Sequence, residues 1–85
     1  MFTYYPKEKV FSFEKFPNEE VQFAVGERKG KAFVDIRVYH IQEDGSKIAT
    51  HKGIFLPVEK LTLMKEGIEK LIESTRSKGA QEEAR

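Results

Sequence analysis

The sequence predicts an α+β fold in which four antiparallel β-strands precede one long C-terminal helix, in the order ββββα. Apolar and polar residues alternate through much of the chain up to Leu56, with the two-residue period of half-buried strands. Two glycine turns, Lys29-Gly30 and Asp44-Gly45, separate alternating stretches as hairpin turns do. Beyond Pro57 the apolar residues recur at helical spacing, so the 85 residues fit one domain without internal repeats.

The first two predicted strands are rich in aromatic and β-branched residues. "VFSFEKF" (Val10–Phe16) has the composition of a short strand and ends at Pro17-Asn18, a pair that favours a turn. In "EVQFAVGE" two valines and a phenylalanine alternate with Gln22 and Ala24, which indicates a half-buried strand.

The third and fourth strands form a hairpin around Asp44-Gly45. The third, "KAFVDIRVYHI", divides into a core face and a second face: Ala32, Val34, Ile36 and Val38 against Phe33, Asp35, Arg37 and Tyr39. The fourth runs from Lys47 to Leu56, and Gly53 within it predicts a bulge or a close backbone approach. A simple turn would place His40 near Ala49 and His51 near Val38, so that the basic groups of both strands share one end of the hairpin.

The predicted helix starts at Pro57, which fits a first helical turn because its missing N–H is not needed there. Its apolar stripe consists of Leu61, Met64, Ile68, Leu71 and Ile72. The stripe can pack on the sheet of its own chain or form a two-fold dimer seam through Met64, Ile68, Leu71 and Ile72. We expect both, since one helix on four short strands makes a thin core. Gly67 costs the helix about 1 kcal/mol and predicts a close contact with the sheet or another chain.

The composition fits a soluble, intracellular domain. Apolar residues make up 39% and charged residues 34% of the chain, cysteine is absent, and no apolar run has the length of a membrane span. We predict an N-terminal arm at residues 1–9, a binding domain at 10–74 and a polar flexible tail at 75–85. We expect a cytoplasmic protein, or a nuclear one if the source is eukaryotic, without a membrane partner.

Charge is distributed unevenly although the net charge is only +1. Residues 14–27 carry a net −3, whereas residues 28–52 carry a net +3. A basic hairpin of this kind can bind a polyanion within a nearly neutral protein. The alternative is a solubilising edge whose lysines prevent strands from aggregating.

The candidate nucleic-acid-binding residues are basic or aromatic side chains of this hairpin. They are Arg28, Lys29, Lys31, Phe33, Arg37, Tyr39, His40, Lys47, His51 and Lys52. The aromatic rings offer flat surfaces to unpaired bases, although most rings in a chain of this size belong to the core. Tyr4 and Tyr5, beside Lys7 and Lys9, could add a mobile binding arm or form a frayed terminus.

Catalysis and metal binding lack support in the sequence. Two histidines without cysteines make a poor zinc site. No serine stands in a recognisable nucleophile context, and "GERKGK" lacks the Gly-Lys-Ser/Thr ending of a phosphate-binding loop. We expect neither an enzyme nor a cofactor.

Taken together, "ERKGKAFVDIRVYHIQEDGSKIATHKGIFLP" resembles the positive-cofactor-four family of transcriptional coactivators. The K-G-K turn, the "VDIR-Y" strand, the acidic-Gly turn and the "KGI-L" return before a helix carry the resemblance, which spans roughly residues 21–73. The resemblance implies a dimer with curved antiparallel sheets whose basic, aromatic ridges bind single-stranded DNA. It places basic contacts at Lys29, Lys31, Arg37 and Lys52.

The chain departs from the family pattern at several positions. Arg28 replaces an aromatic residue before K-G-K, His40 replaces a tryptophan after the strand tyrosine, and Glu19 and Glu20 replace basic residues. The long Ser- and Lys-rich region of eukaryotic members has no counterpart in the sequence, which favours a minimal prokaryotic or phage-type homologue.

The resulting hypothesis is a homodimeric, sequence-independent single-stranded DNA-binding protein in transcription, replication or recombination. Transcription or replication proteins are further candidate partners. Two alternatives stay open: a protein-interaction module that recruits polymerase or recombination factors, and an RNA-binding protein of the same fold.

Overall fold

Four strands and a helix make up residues 7–78, the part of the chain that the computed structural model describes. The elements are β1 (Lys7–Phe16), β2 (Glu19–Arg28), β3 (Lys31–Ile41), β4 (Lys47–Pro57), a 3₁₀ turn (Val58–Lys60) and α1 (Leu61–Lys78). The strands form one antiparallel sheet in the order β1-β2-β3-β4. The predicted order of four antiparallel strands and a C-terminal helix is confirmed.

Two element boundaries differ from the predicted ones. β1 begins at Lys7 rather than Val10, because Lys7 reaches a carboxylate on β3 and pairs with Gly26 of β2. α1 continues past Ser74 to Lys78 although the apolar stripe has ended, since each residue added to an existing helix gains a backbone hydrogen bond. Tyr4, Tyr5 and residues 79–85 of the predicted tail lie outside the described residues.

The β2–β3 turn is the tight turn that the sequence predicted. Lys29 and Gly30 have φ angles of 54° and 78°. Positive φ at both central residues is what a type I′ hairpin turn requires, and its twist matches that of the flanking strands. Lys29 therefore occupies a left-handed conformation that costs a residue with a Cβ about 1 kcal/mol.

The β3–β4 connection is longer than a two-residue turn. Ile41 pairs with Lys47, and the loop between them closes with a 2.8 Å hydrogen bond from Gln42 N to Ser46 O. Asp44 Oδ1 accepts hydrogen bonds from Ser46 N (2.9 Å) and Ser46 Oγ (2.7 Å), which fixes the loop conformation. The hydrogen bonds from Ser46 also lower the pKa of the Asp44 carboxyl.

This longer loop makes the predicted partner of His40 wrong, whereas the predicted nearness of His51 to Val38 agrees with the register. His40 stands opposite Ile48, not Ala49, and the register then shifts so that Gly53 stands opposite Arg37. Three residues of β4, Thr50 to Lys52, therefore face the single residue Val38 in a bulge. A Cβ on Gly53 would lie 2.6 Å from Ile36 O, which confirms that Gly53 marks a bulge and a close backbone approach.

The sheet has two chemically different faces, because residues paired across antiparallel strands point to the same side. The Arg37 face carries Lys7, Lys9, Ser12 and Glu14 of β1, Glu20, Gln22, Ala24 and Gly26 of β2, Phe33, Asp35, Arg37 and Tyr39 of β3, and Gly53, Phe55 and Pro57 of β4. The Ile36 face carries Phe11 and Phe13, Val21, Phe23 and Val25, Val34, Ile36, Val38 and His40, and Ile48, Ile54 and Leu56. The predicted division of β3 into these two faces is therefore correct.

The apolar Ile36 face is largely uncovered within one chain. Phe11 is 59% exposed, Phe13 47% and Ile54 46%, even though the rings of Phe11, Phe13 and Phe23 pack on one another with centroids 5.6–6.4 Å apart. Among the residues described, only Phe33, Val34 and Asp35 are buried. Much of the apolar Ile36 face is therefore accessible to solvent within residues 7–78.

The helix does not cover this face. α1 makes its main contacts with the 3₁₀ turn rather than with the strands, and Ile68, Leu71 and Ile72 of its stripe are exposed, with Met64 half-buried. A Cβ added at Gly67 would meet nothing within 4 Å in the chain. The prediction that the stripe packs on its own sheet is therefore wrong for the single chain. Of the two contacts predicted for Gly67, the one with the sheet is not formed within residues 7–78, and the one with another chain stays a prediction.

Candidate nucleic-acid interface

The predicted cations do not gather at one end of the hairpin, contrary to expectation. They form three groups along β3 and its neighbours: a turn group of Arg28, Lys29 and Lys31, a middle group of Arg37, His51 and Lys52, and a far group of His40 and Lys47. At about 3.3 Å per residue, the ends of β3 lie about 33 Å apart. The prediction is wrong because the turn group lies at one end of β3 and the Asp44-Gly45 loop follows the other end.

The turn group presents exposed charge at the tip of the β2–β3 hairpin. Arg28 pairs with Lys31 across the turn, so both belong to the Arg37 face, and Lys29 lies between them. Within residues 7–78 no carboxylate forms a salt bridge with Lys29 or Lys31. These two ammonium groups are available for an external anion.

A concavity adjoins the turn group on the Arg37 face. Its volume is about 340 Å³, and its lining consists of Arg28, Lys29, Lys31, Ala32, Phe33, Phe55 and Pro57. The rings of Phe33 and Phe55 lie 4.5 Å apart at a tilt of 42°. Phe33 is only 4% exposed, whereas Phe55 is 47% exposed, so Phe55 presents the ring surface of the pair.

The middle group is organised by a buried carboxylate, Asp35. Lys7 Nζ lies 2.6 Å from its Oδ2, while Arg37 Nε and Nη2 lie 3.0 Å and 2.9 Å from its Oδ1. Burial opposes ionisation of Asp35, but hydrogen bonds from Arg37 and Lys7 outweigh it and lower the pKa of the carboxyl. The carboxylate is therefore charged at neutral pH and holds two cations.

Arg37 is consequently engaged within the sheet. Its Nη1 donates a 3.0 Å hydrogen bond to Thr50 O in the β4 bulge, and its side chain is 11% exposed. Thr50 Oγ1 donates to Val38 O at 2.8 Å and accepts from Lys52 N at 3.2 Å. Arg37 thus fixes the bulge that carries His51 and the exposed Lys52, and its own contact with a phosphate stays a prediction.

The far group differs from the turn group in its electrostatics. Lys47 Nζ lies 2.9 Å from Glu20 Oε1, and hydrogen bonds from Lys47 and then Gln22 lower the pKa of Glu20 to about 2. Lys47 therefore has a strong internal acceptor on β2. Glu20 thereby reduces the positive charge that this end offers to a phosphate.

Tyr39 and His40 belong to opposite faces of the sheet. Tyr39 is half-buried on the Arg37 face opposite Glu20, while His40 is exposed on the Ile36 face opposite Glu19 and Ile48. Phe33 and Tyr39 therefore share one face while His40 lies on the other, because successive residues of a strand alternate in direction, and their contacts with bases stay a prediction.

Neither Phe55 nor Lys7 is among the site residues predicted from the sequence. Phe55 was hidden because its position relative to Phe33 depends on the bulge at Gly53. Lys7 falls within the predicted N-terminal arm of residues 1–9, whereas the structure places it at the start of β1. One available signal was Phe55 itself, a large ring between Ile54 and Leu56 that must point to the side opposite theirs.

Residues 7–78 contain no group of three or more histidine or carboxylate residues arranged to hold a metal ion. In the same range, no helix has the length and apolar character needed to cross a membrane.

The family described as "Transcriptional Coactivator p15 (PC4)" matches residues 15–67, which include β2, β3, β4 and the start of α1. Comparison with curated proteins gives no match.

Solved structures share the fold. A PC4 homologue from Burkholderia pseudomallei is 22% identical, with a TM-score of 0.70 over 81% of this chain and 98% of that one in a tetragonal crystal form. The orthorhombic form of that homologue gives a TM-score of 0.72, again at 22% identity, over 85% of this chain and 95% of that one. A bacteriophage T5 homologue of PC4, implicated in recombination-dependent DNA replication, is 18% identical, with a TM-score of 0.65 over 82% of this chain and 81% of that one.

Proposed function

The chain belongs to the family of the transcriptional coactivator p15 (PC4), and from this premise we propose that it is a homodimeric protein that binds single-stranded DNA without sequence preference. Family membership indicates a PC4-type role in DNA binding or coactivation. The observation that supports the finer proposal is the turn group of exposed cations beside the exposed ring of Phe55.

The turn group and the ring suit an unpaired strand better than a duplex. Phosphates supply the anions for Lys29 and Lys31, while a ring surface attracts the flat face of a base. Bases in a duplex are stacked and paired, so they reach an aromatic side chain only after extrusion, which costs a few kcal/mol. Single-stranded DNA presents both groups at no such cost.

The dimer proposal is supported by the two uncovered apolar surfaces. The Ile36 face exposes Phe11, Phe13 and Ile54, and the stripe of α1 exposes Ile68 and Leu71. A monomeric soluble protein rarely leaves contiguous apolar surface of this kind uncovered. A second copy of the chain supplies a matching apolar surface, with Met64, Ile68, Leu71 and Ile72 in the seam.

The binding proposal is tested by fluorescence anisotropy with a labelled oligo-dT over a series of salt concentrations. We expect affinity to fall steeply with salt, because each neutralised phosphate releases counterions. A duplex of the same length and a matched RNA oligomer serve as competitors. Micromolar or weaker binding that ignores salt would contradict the proposal, and tighter binding of the RNA would replace DNA with RNA as the ligand.

The proposal for the cellular process rests on the relatives of this chain, not on any contact between its residues. The phage T5 homologue is implicated in recombination-dependent DNA replication, and the family is named for transcriptional coactivation. We propose a role in one of these processes, in the cytoplasm of a prokaryotic cell or in a nucleus. A protein-interaction role for the exposed α1 stripe is the second candidate, and it predicts that a variant without the turn-group charges retains its protein partners.

A further inference from the structure

We propose that the concavity beside the turn group is a discrete pocket for one unpaired base, with Phe55 as the stacking residue and with Lys29 and Lys31 binding the phosphates of that nucleotide. The inference rests on the proposed function and deepens it. It assigns a ligand position to Phe55 and Pro57, and it treats the buried Phe33 as a support rather than as a stacking surface.

The position of Phe55 on the Arg37 face sets it apart from the apolar core. Phe55 of β4 pairs with Asp35 and lies on the same face as Gly53. The exposed phenylalanines of β1, in contrast, belong to the Ile36 face. A large ring that is 47% exposed on a predominantly polar face contributes little to a core. Such a ring is better explained by a ligand that it contacts.

Phe33 makes the Phe55 ring a rigid surface. The two centroids are 4.5 Å apart, and Phe33 is almost completely buried beneath its neighbours. Aromatic pairs at this separation gain packing energy beyond their area, so Phe55 loses little further freedom when a base stacks on it. This backing favours binding because the entropic cost of ordering the ring has already been met.

The size and charge of the pocket fit a nucleotide. Its volume of about 340 Å³ lies at the lower end of the range for small-ligand pockets, roughly 300–1,000 Å³. Ala32 and Pro57 add apolar wall, Arg28, Lys29 and Lys31 add positive charge, and no acidic residue stands among the described lining residues. An aromatic base attached to an anionic phosphate complements both parts.

The turn fixes the relative positions of the cations and the ring. Gly30 and the left-handed Lys29 hold the type I′ geometry, and Phe33 pairs with Pro57 directly beside the turn. The pocket is therefore built from adjacent positions of three strands rather than from a mobile loop. It is expected to exist before the strand binds.

The test compares octathymidylate with an octamer of the same phosphate backbone that lacks bases. The variants are Phe55→Leu, which keeps apolar volume without a flat ring, and Phe55→Trp, which enlarges the ring. Phe16→Leu is the control, because Phe16 is a 59% exposed ring at the other end of the sheet. Circular dichroism melting confirms that each variant is folded.

We expect Phe55→Leu to weaken octathymidylate binding roughly 5- to 150-fold, the loss of about one stacked base. Binding of the abasic octamer should stay within about twofold of the wild type, because the phosphate contacts are intact. Phe55→Trp should bind octathymidylate at least as tightly as the wild type, and Phe16→Leu should be unchanged.

Separate outcomes overturn the pocket and the proposed function. If wild-type protein binds neither octamer, single-stranded DNA binding itself is wrong. If it binds both and Phe55→Leu leaves octathymidylate binding unchanged, the function stands and the pocket is wrong. Should Phe55→Leu fail to fold, a nuclear Overhauser effect between thymine methyl and Phe55 ring protons in the wild-type complex decides, and its absence in a saturated complex overturns the pocket.

Discussion

The Nζ atom of Lys7 lies 2.6 Å from Oδ2 of Asp35, although β2 separates the strands that carry them. The contact is possible because the β2 residues between them are Gly26, which pairs with Lys7, and Ala24, which pairs with Asp35. Neither has a side chain large enough to block the path across the Arg37 face. One carboxylate thereby links β1 to β3 and, through Arg37, to the bulge of β4.

Replacement of Asp35 by asparagine should destabilise the fold by about 3 kcal/mol, since it leaves two partly buried cations without a negative partner. Urea denaturation measures the change. Lys7→Met serves as a comparison, because it removes one cation and leaves Asp35 paired with Arg37, so we expect a smaller loss. Equal stability of the wild type and Asp35→Asn would show that the linkage contributes nothing.

Acid should destabilise the protein as pH falls from 4.5 toward about 2. Glu20 has its pKa lowered from 4.5 to about 2, and the pKa of Asp35 is lowered as well. A carboxyl with a depressed pKa in the folded state stabilises above its unfolded pKa and loses that contribution as pH drops through the folded value. Glu20 and Asp35 should therefore make their full contribution to the free energy of unfolding at neutral pH, and denaturation at stepped pH values measures its loss.

Lys47→Met removes the cation paired with Glu20 and so measures how much this ion pair contributes to the pH dependence of stability. The variant should be less stable at pH 7 by up to about 1 kcal/mol, the scale of a solvent-accessible ion pair. The difference from the wild type should shrink as Glu20 becomes protonated near pH 2. Denaturation at stepped pH values measures this, and a difference that stays constant down to pH 2 would exclude Lys47–Glu20 as its source.

Lys29→Asn should stabilise the fold and at the same time weaken the binding of single-stranded DNA. Asparagine tolerates the left-handed conformation better than lysine does, and Asn-Gly is a preferred type I′ pair, so thermal stability should rise by up to about 1 kcal/mol. The lost charge should weaken single-stranded DNA binding and reduce the salt slope by about 1 for each protomer that contacts the strand. Lys70→Asn, an exposed helical charge change, controls for net charge, and an effect on binding equal to that of Lys29→Asn would argue against a localised site.

Gly53→Ala should destabilise the sheet by about 1–3 kcal/mol. The new Cβ would lie 2.6 Å from Ile36 O and 2.9 Å from Arg37 Cα, both backbone atoms that cannot move without shifting β3. Gly67→Ala is the matched substitution, because its Cβ would enter open space and should stabilise α1 by about 1 kcal/mol. A loss of stability in Gly67→Ala would instead reveal close packing of a second chain at that position.

Leu71→Glu should abolish the proposed dimer. Leu71 is 64% exposed in the single chain, so a charge there costs little unless another surface covers it. Light scattering should give a dimer for the wild type and a monomer for the variant, and the melting temperature of the wild type should rise with protein concentration. Lys70→Glu, at an exposed position on the opposite side of the same helix, should leave the dimer intact. A monomeric wild type at micromolar concentration would contradict the dimer.

The four strands, the helix, the two faces of β3 and the Lys29-Gly30 turn could all be predicted from the sequence. These features depend on local chemistry: side chains alternate along a strand whatever its partner is, and two successive positive φ angles require residues that tolerate them. The motifs of the K-G-K turn and the β3 and β4 strands were sufficient to indicate the family as well.

The residues that meet across the sheet, by contrast, depend on the three-dimensional fold. Phe33 reaches Phe55, and His40 faces Ile48, because the Asp44-Gly45 loop is longer than a simple turn and three β4 residues bulge opposite Val38. Lys7 reaches Asp35 because the small side chains of β2 leave a path between distant strands. Loop length, bulges and residues on an intervening strand act between distant parts of the chain, so no local pattern around Phe55 or Lys7 could specify their partners.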